Sequence, residues 1–237
     1  MRDWQPMLGL PLWVWLFVLP LALCLICFTK PEPMRRLLRP VWATLDKIYF
    51  AAGIVAAGFM VLILLLIVGQ MVFRWMSLQF PGGTEFAGYA MAATSFFAFA
   101  HAFSRGAHIR VSILLNMNNF TRFWLDVFAM VVAAITATYF ARFAVKANQV
   151  SALIHEKTQG LDRVPDWVLS LFRYLGNPPS KWDEIAEKTT DELVYTPIWL
   201  PQLSMSIGAI LLAICIWDFL TRLLVERESA ILREGVE

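Results

Sequence analysis

The sequence predicts an all-α integral membrane helical bundle: four core transmembrane helices, a further N-terminal span and an amphipathic helical insertion at one membrane face. Three observations carry this. Of 237 residues, 59% are hydrophobic and only 16% are charged, where a soluble domain carries about 25%. Five stretches hold no Asp, Glu, Lys or Arg: Trp4–Thr29, Ile48–Phe73, Phe86–Ser104, Val127–Ala141 and Leu193–Trp217. A helix needs roughly 20 apolar residues to cross hydrocarbon; four stretches meet or approach that, and Val127–Ala141 extends to it if Asp126 and Arg142 lie near its ends. Finally, the polar segments between them differ in charge sign, as opposite membrane faces require. A soluble enzyme, a secreted module and a nucleic-acid binder are excluded. The net charge of +2 supports no global electrostatic argument.

Residues 1–29 contain the first apolar segment, Leu10–Phe28. It is longer than a signal-peptide core, and its flank offers only Arg2, offset by Asp3. Pro11 and Pro20 would bend it, which membranes tolerate. It is expected to span, the rival being a helix lying in the interface. The linker 30–47 carries five basic and two acidic residues, net +3. Residues 48–222 form the main membrane domain. Its first span is Ile48–Phe73, where Gly53, Ala56, Ala57 and Gly58 suit close helix contact. After a turn at Pro81-Gly82-Gly83 comes Phe86–Phe103. Arg105, Arg110 and Arg122 then stand in a loop with no acid, again net +3. The next span covers about Phe123–Val145. The polar stretch Lys146–Glu192 has six basic and eight acidic residues, net −2. Ile198–Phe219 is the last span, and 223–237 is a charged tail. The positive-inside rule places both +3 segments and the tail in the cytoplasm, the insertion outside, and the N-terminus outside if the first segment spans.

Within the insertion, Val164, Trp167, Val168, Leu171, Phe172 and Leu175 recur at helical spacing and form one apolar face. Pro165 suits the first turn and Gly176 the end. Asp166, Ser170 and Arg173 take the other side. Such a helix can lie on the outer leaflet or dock on a partner. After Pro178-Pro179, Ser180 is placed to cap a second helix, with Asp183 three residues on.

Chemistry-bearing groups are sparse. Cys24, Cys27 and Cys215 all sit in apolar segments and form no disulfide framework; Cys24-x-x-Cys27 reads as two small packed or lipid-facing residues. Asp126 and Asp218 lie about one turn inside helix ends, where snorkelling or a helix–helix salt bridge would accommodate them. His101 and His108 share a helical track, and His155 lies far away, so facing haem ligands are missing. No phosphate loop, nucleophile elbow, zinc motif or dinucleotide turn is present. Neither a catalytic residue, a metal site nor a cofactor is expected. Trp42, Trp75, Trp124, Trp199 and Trp217 fall near span ends, as an aromatic belt requires.

Three landmarks coincide: Glu85 with Tyr89 at the start of one span, Arg105-Gly-Ala-His108-Ile-Arg110-Val111 at its end, and Thr196-Pro-Ile-Trp199-Leu-Pro201-Gln202 before Met205-Ser-Ile-Gly208. Together they resemble the small membrane subunit of tripartite ATP-independent periplasmic (TRAP) transporters, over about Lys47–Arg222. Ser112 and Ser206 depart from the family's usual Asp and Pro, and the first segment and long insertion exceed its usual four-helix subunit. The resemblance implies a non-enzymatic scaffold in the bacterial inner membrane. It would pack against a large membrane subunit that holds the substrate and sodium sites, while a periplasmic binding protein delivers an organic acid. Glu85, Arg105, His108, Arg110, Trp199, Pro201 and Gln202 would anchor the chain to its partner or to phospholipid. The alternatives are a stand-alone transporter or channel and a membrane anchor of a redox complex.

Overall fold

The computed structural model describes residues 6–7, 9–106 and 119–227. Four helices are long and apolar enough to cross a membrane: α2 (Pro31–Trp75), α3 (Gly83–Ser104), α4 (Asn119–Leu153) and α7 (Trp199–Glu226). They run up and down. The turn after α2 and the whole insertion between α4 and α7 therefore share one face, the insertion face. The C-terminal end of α3 and the N-terminal end of α4 lie at the opposite face, here called the basic face.

The centre of the bundle is α7. Half of its most apolar stretch is buried, against 11–17% for the other three spans. It touches α2, α3, α4 and the short N-terminal helix α1 (Leu19–Thr29). Small side chains let α4 come close: Ala134, Ala137, Ala141 and Ala144 repeat at three- and four-residue spacing and meet Ala209, Ala213 and Ile216. That spacing is the seam of interlocking helices, and alanine suits it in lipid because backbones approach closely. At Gly208 a Cβ would stand 2.5 Å from the Phe96 carbonyl oxygen, so α7 and α3 meet backbone to side-chain-free backbone. Gly53 of α2 likewise seats the His101 ring, 2.7 Å from where its Cβ would be. Gly58, expected beside it in a helix contact, has nothing within 4 Å; it lies on a different side of α2.

The linker 30–47 is helical and continuous with its span. Pro31 and Pro33 sit where missing N–H groups cost least, and one interior proline, Pro40, is accommodated. The resulting 45-residue α2 is about 68 Å long at 1.5 Å per residue. That is twice the roughly 30 Å hydrocarbon core, so its first turns stand outside it.

The N-terminal segment is shorter than expected of a span. A hairpin of β1 (Pro6–Met7) and β2 (Leu10–Pro11) precedes a π-helical turn, Val14–Val18, which leads into α1. The π turn abuts Pro20, which lacks an N–H for the regular ladder. The helical part, Val14–Thr29, is about 24 Å long. It lies along α4, with Phe17 against Tyr139 and Phe28 against Trp124. Cys24 and Cys27 face inward, onto Trp42, Leu220 and Leu224.

The insertion closes on itself. Strand β3 (Arg163–Pro165) pairs antiparallel with β4 (Leu193–Tyr195), with Val164 opposite Val194. Between them stand α5 (Asp166–Gly176) and α6 (Trp182–Lys188). Pro165 and Gly176 bound α5 as the sequence predicts. Ser180 does not cap α6. It lies in a 3₁₀ turn, Pro179–Lys181, and α6 has no side-chain cap. The pair Lys188–Glu184 spans one turn of α6 and holds the Glu184 carboxyl below its ordinary range, through the hydrogen bond and charge of the lysine.

Replacing Gly208 with Leu should overpack the α3–α7 contact by about 1–3 kcal/mol or more, while Gly58→Leu should leave thermal unfolding in detergent unchanged. Equal melting temperatures for the two variants would contradict the central position of α7.

Candidate functional site: polar locks at both faces and an outward apolar helix

At the basic end of α7, Asp218 and Arg222 lie four residues apart and bond at 2.8 Å. The guanidinium also reaches α2, where it donates to Asp46 at 2.7 Å and to the Trp42 carbonyl at 3.3 Å. Tyr49 of α2 donates to the second side of the cluster, Asp218 Oδ2, at 3.3 Å. The Arg222 fork stacks near the Phe219 and Trp42 rings, 4.9 and 5.6 Å from their centroids. The Asp218 side chain is only 3% exposed and Asp46 is 51% exposed. One arginine thus neutralises a buried carboxylate and ties it to a solvated one, using the planar geometry lysine lacks. Asp218 forms its ion pair within α7; the helix–helix salt bridge is made by Arg222 with Asp46 of α2, and Asp218 itself reaches α2 through Tyr49.

At the insertion face the polar contacts run between α3 and the loop before β3. Tyr89 donates to Asp162 Oδ2 at 2.8 Å, and Glu85 Oε1 accepts the Leu161 N–H at 3.3 Å. Thr196, just before α7, donates from both its N–H and its hydroxyl to the Asp162 carbonyl, at 3.2 and 3.1 Å. Gly82, with φ +78°, brings the α2–α3 turn so close that a Cβ would lie 2.8 Å from Asp162 Cα. The lock therefore joins the turn, α3, the insertion and the entry to α7.

Trp199, Pro201 and Gln202 serve the same junction. The Trp199 carbonyl accepts from Asn148 of α4 at 2.7 Å, and its ring meets Phe172 of α5 edge-on at 5.7 Å. Pro201 helps line an apolar cleft of about 450 Å³ with Phe59 and Leu62 of α2 and Phe86 and Ala90 of α3. Gln202 is half-buried beside it. Arg105 caps the C-terminal end of α3 through its N–H, bonded to the His101 carbonyl. His108 and Arg110 lie outside the described residues.

Helix α5 is turned opposite to a soluble amphipathic helix. Its polar edge faces inward: Asp166 and Ser170 are buried with Leu169. Asp166 bonds Arg173 at 2.8 Å, accepts the Thr190 N–H at 3.2 Å, and donates its own N–H to Glu192. Trp167, Leu171, Phe172 and Leu175 point out, Leu175 being 85% exposed, with Val164 and Val168 half-buried at the margin.

Within the spans, hydroxyls are consumed locally. Thr94, Ser95, Thr136 and Thr138 each bond a carbonyl of their own helix, and Thr138 also accepts from Trp217. None of these offers a free polar group at mid-membrane. The sequence reading passes over Asp162 and places Asp166 on the polar side of α5, because a charged residue in a polar stretch normally reads as solvated; the structure buries both.

Residues 63–176 match the family described as tripartite ATP-independent periplasmic transporters, DctQ component. The match includes Glu85, Tyr89 and the Arg105–Val111 run, and it ends before Thr196–Gln202. No curated protein and no solved structure matches the chain.

Substituting Arg222 with Met leaves Asp218 buried without its cation, a loss of about 3–5 kcal/mol. The double variant Asp218→Asn/Arg222→Met should recover much of it. Thermal unfolding in detergent reads both, and a double variant no more stable than the single one would refute the charge-pair account.

Proposed function

Because residues 63–176 match the DctQ component family of TRAP transporters, we propose that this chain is the small membrane subunit of such a system. In this reading it braces a large permease subunit during sodium-coupled, binding-protein-dependent uptake of an organic acid. The substrate and sodium sites are on the large subunit, and this chain performs no chemistry and needs no cofactor of its own. The observation that carries the reading is the family match, and two physical features support it. Hydroxyls such as those of Thr94, Ser95, Thr136 and Thr138 are spent within the bundle, on carbonyls of their own helices, which suits a scaffold better than a solute route. One long side of α2, including Ile54, Met60, Leu64 and Leu65, is uncovered, leaving a broad apolar wall for lipid and for a larger membrane neighbour. A stator must resist tilting while the mobile subunit shifts, and a helix pinned at both faces does so.

In this topology the basic face is cytoplasmic, following the positive-inside rule, and the insertion faces the periplasm. Arg105, His108 and Arg110 then stand at the inner boundary, near phospholipid head groups or the large subunit. Helix α5 stands at the outer boundary, where its apolar face meets the membrane surface or the docked binding protein.

Pull-down of the chain from detergent should bring a large multi-span membrane protein with it, and the chain alone in liposomes should move no solute. Solute flux through vesicles holding only this chain would overturn the proposal. Replacing Trp167, Leu171 and Phe172 together with Ser should lower complex yield or uptake severalfold; unchanged values for both would remove α5 from the interface.

A further inference from the structure

Asp162 poses an electrostatic problem. It is 0% exposed, yet among the described residues its only side-chain hydrogen-bond partner is a neutral hydroxyl, that of Tyr89 on Oδ2. Its other oxygen, Oδ1, is buried and has no hydrogen-bond partner. An isolated carboxylate removed from water is strongly unfavourable unless a counter-charge or several donors accompany it. A second carboxylate, that of Glu85, also approaches and makes matters worse. The point at which a Gly160 Cβ would stand lies 2.7 Å from Asp162 Oδ1 and 3.1 Å from Glu85 Oε1. Two acid oxygens from elements far apart in sequence thus both press close to Gly160, an approach that only a residue without a side chain permits. A further oxygen of the same loop, Thr158 Oγ1, is also buried without a partner.

We propose that Asp162 Oδ1 and Glu85 Oε1, meeting beside Gly160, form a binding site for a divalent, oxygen-seeking cation of the calcium type. Two carboxylates match its charge, and its preferred oxygen distances, about 2.3–2.6 Å, need only a small closing movement of the flexible Glu85 side chain. Among the described residues no three His, Cys, Asp or Glu side chains converge, so water entering past half-buried Glu85 completes the coordination. Soft metals that favour thiolate or imidazole are poorly served by this donor set. The bound ion would join the first turn of α3 to the loop that feeds β3, and through the Asp162 carbonyl to Thr196 at the entry to α7. It would thereby clamp the insertion onto the bundle. The inference concerns this chain alone and does not depend on a transport role.

The test is thermal unfolding of the full chain in detergent, in chelator and in millimolar calcium, with calorimetric titration of calcium. Calcium should raise the melting temperature by a few degrees in a saturable way, with one ion bound per chain. Gly160→Ala keeps both carboxylates but places a methyl group at that close approach, and it should abolish the shift and the binding; Glu85→Gln should weaken both at least severalfold. Wild-type melting that ignores calcium, or a Gly160→Ala variant that responds as the wild type does, would overturn the proposal, and neither result bears on the transporter assignment.

Discussion

In hydrocarbon a polar group has only its own protein to bond with, and this constraint organises the molecule. Backbone polarity is absorbed by helices. Side-chain hydroxyls in the spans are absorbed by the turn below them, as at Thr94 and Thr136. With polarity silenced at mid-membrane, helix association there rests on shape. The alanine seam of α4 and the Gly208 notch of α7 are the surfaces that allow close contact. Stronger polar contacts are displaced to the two ends of the bundle, where part of each group still reaches water.

The two ends are built differently. The basic end has an ion cluster: Arg222 bonds Asp218 and Asp46 together and lies against aromatic rings. A pair of this kind adds little net stability relative to a well-packed apolar contact, but it penalises any other register of α2 against α7. The insertion end is held by backbone pairing and by a buried carboxylate with a neutral partner. Between these ends α7 is covered on several sides, whereas α2 presents most of its surface outward. A rigid centre with a free outer wall is the form expected of a brace.

Helix α5 shows how tertiary context inverts a familiar pattern. Its apolar periodicity is plain, and in a soluble protein that stripe would face the core. Here the β3–β4 pair fixes the direction in which the chain leaves and returns, and Asp166 collects Arg173 and the Thr190 N–H on the inner side. Once those bonds are made, Trp167 and Leu171 have only the outside to face.

The sequence by itself determined the solvent of this protein and its four core spans. Uninterrupted apolar runs such as Ile48–Phe73 leave no aqueous fold possible, and length against bilayer thickness marks the four core spans but also predicts a fifth at the N-terminus, which the structure replaces with a shorter helix. Residue pattern also marked α5, the family landmarks around Glu85 and Tyr89, and the close approach at Gly53. It could not show that 30–47 continues α2, because charge marks where helices leave lipid and not where they stop. Nor could it show that the N-terminal helix is short, since hydropathy does not register the hairpin and the π turn near Pro20. Only the tertiary structure decided that Arg222 meets Asp46 across 176 positions, and that Asp162 is buried against Tyr89 and beside Glu85. Those pairings depend on which faces of distant helices meet, and local periodicity carries no record of that.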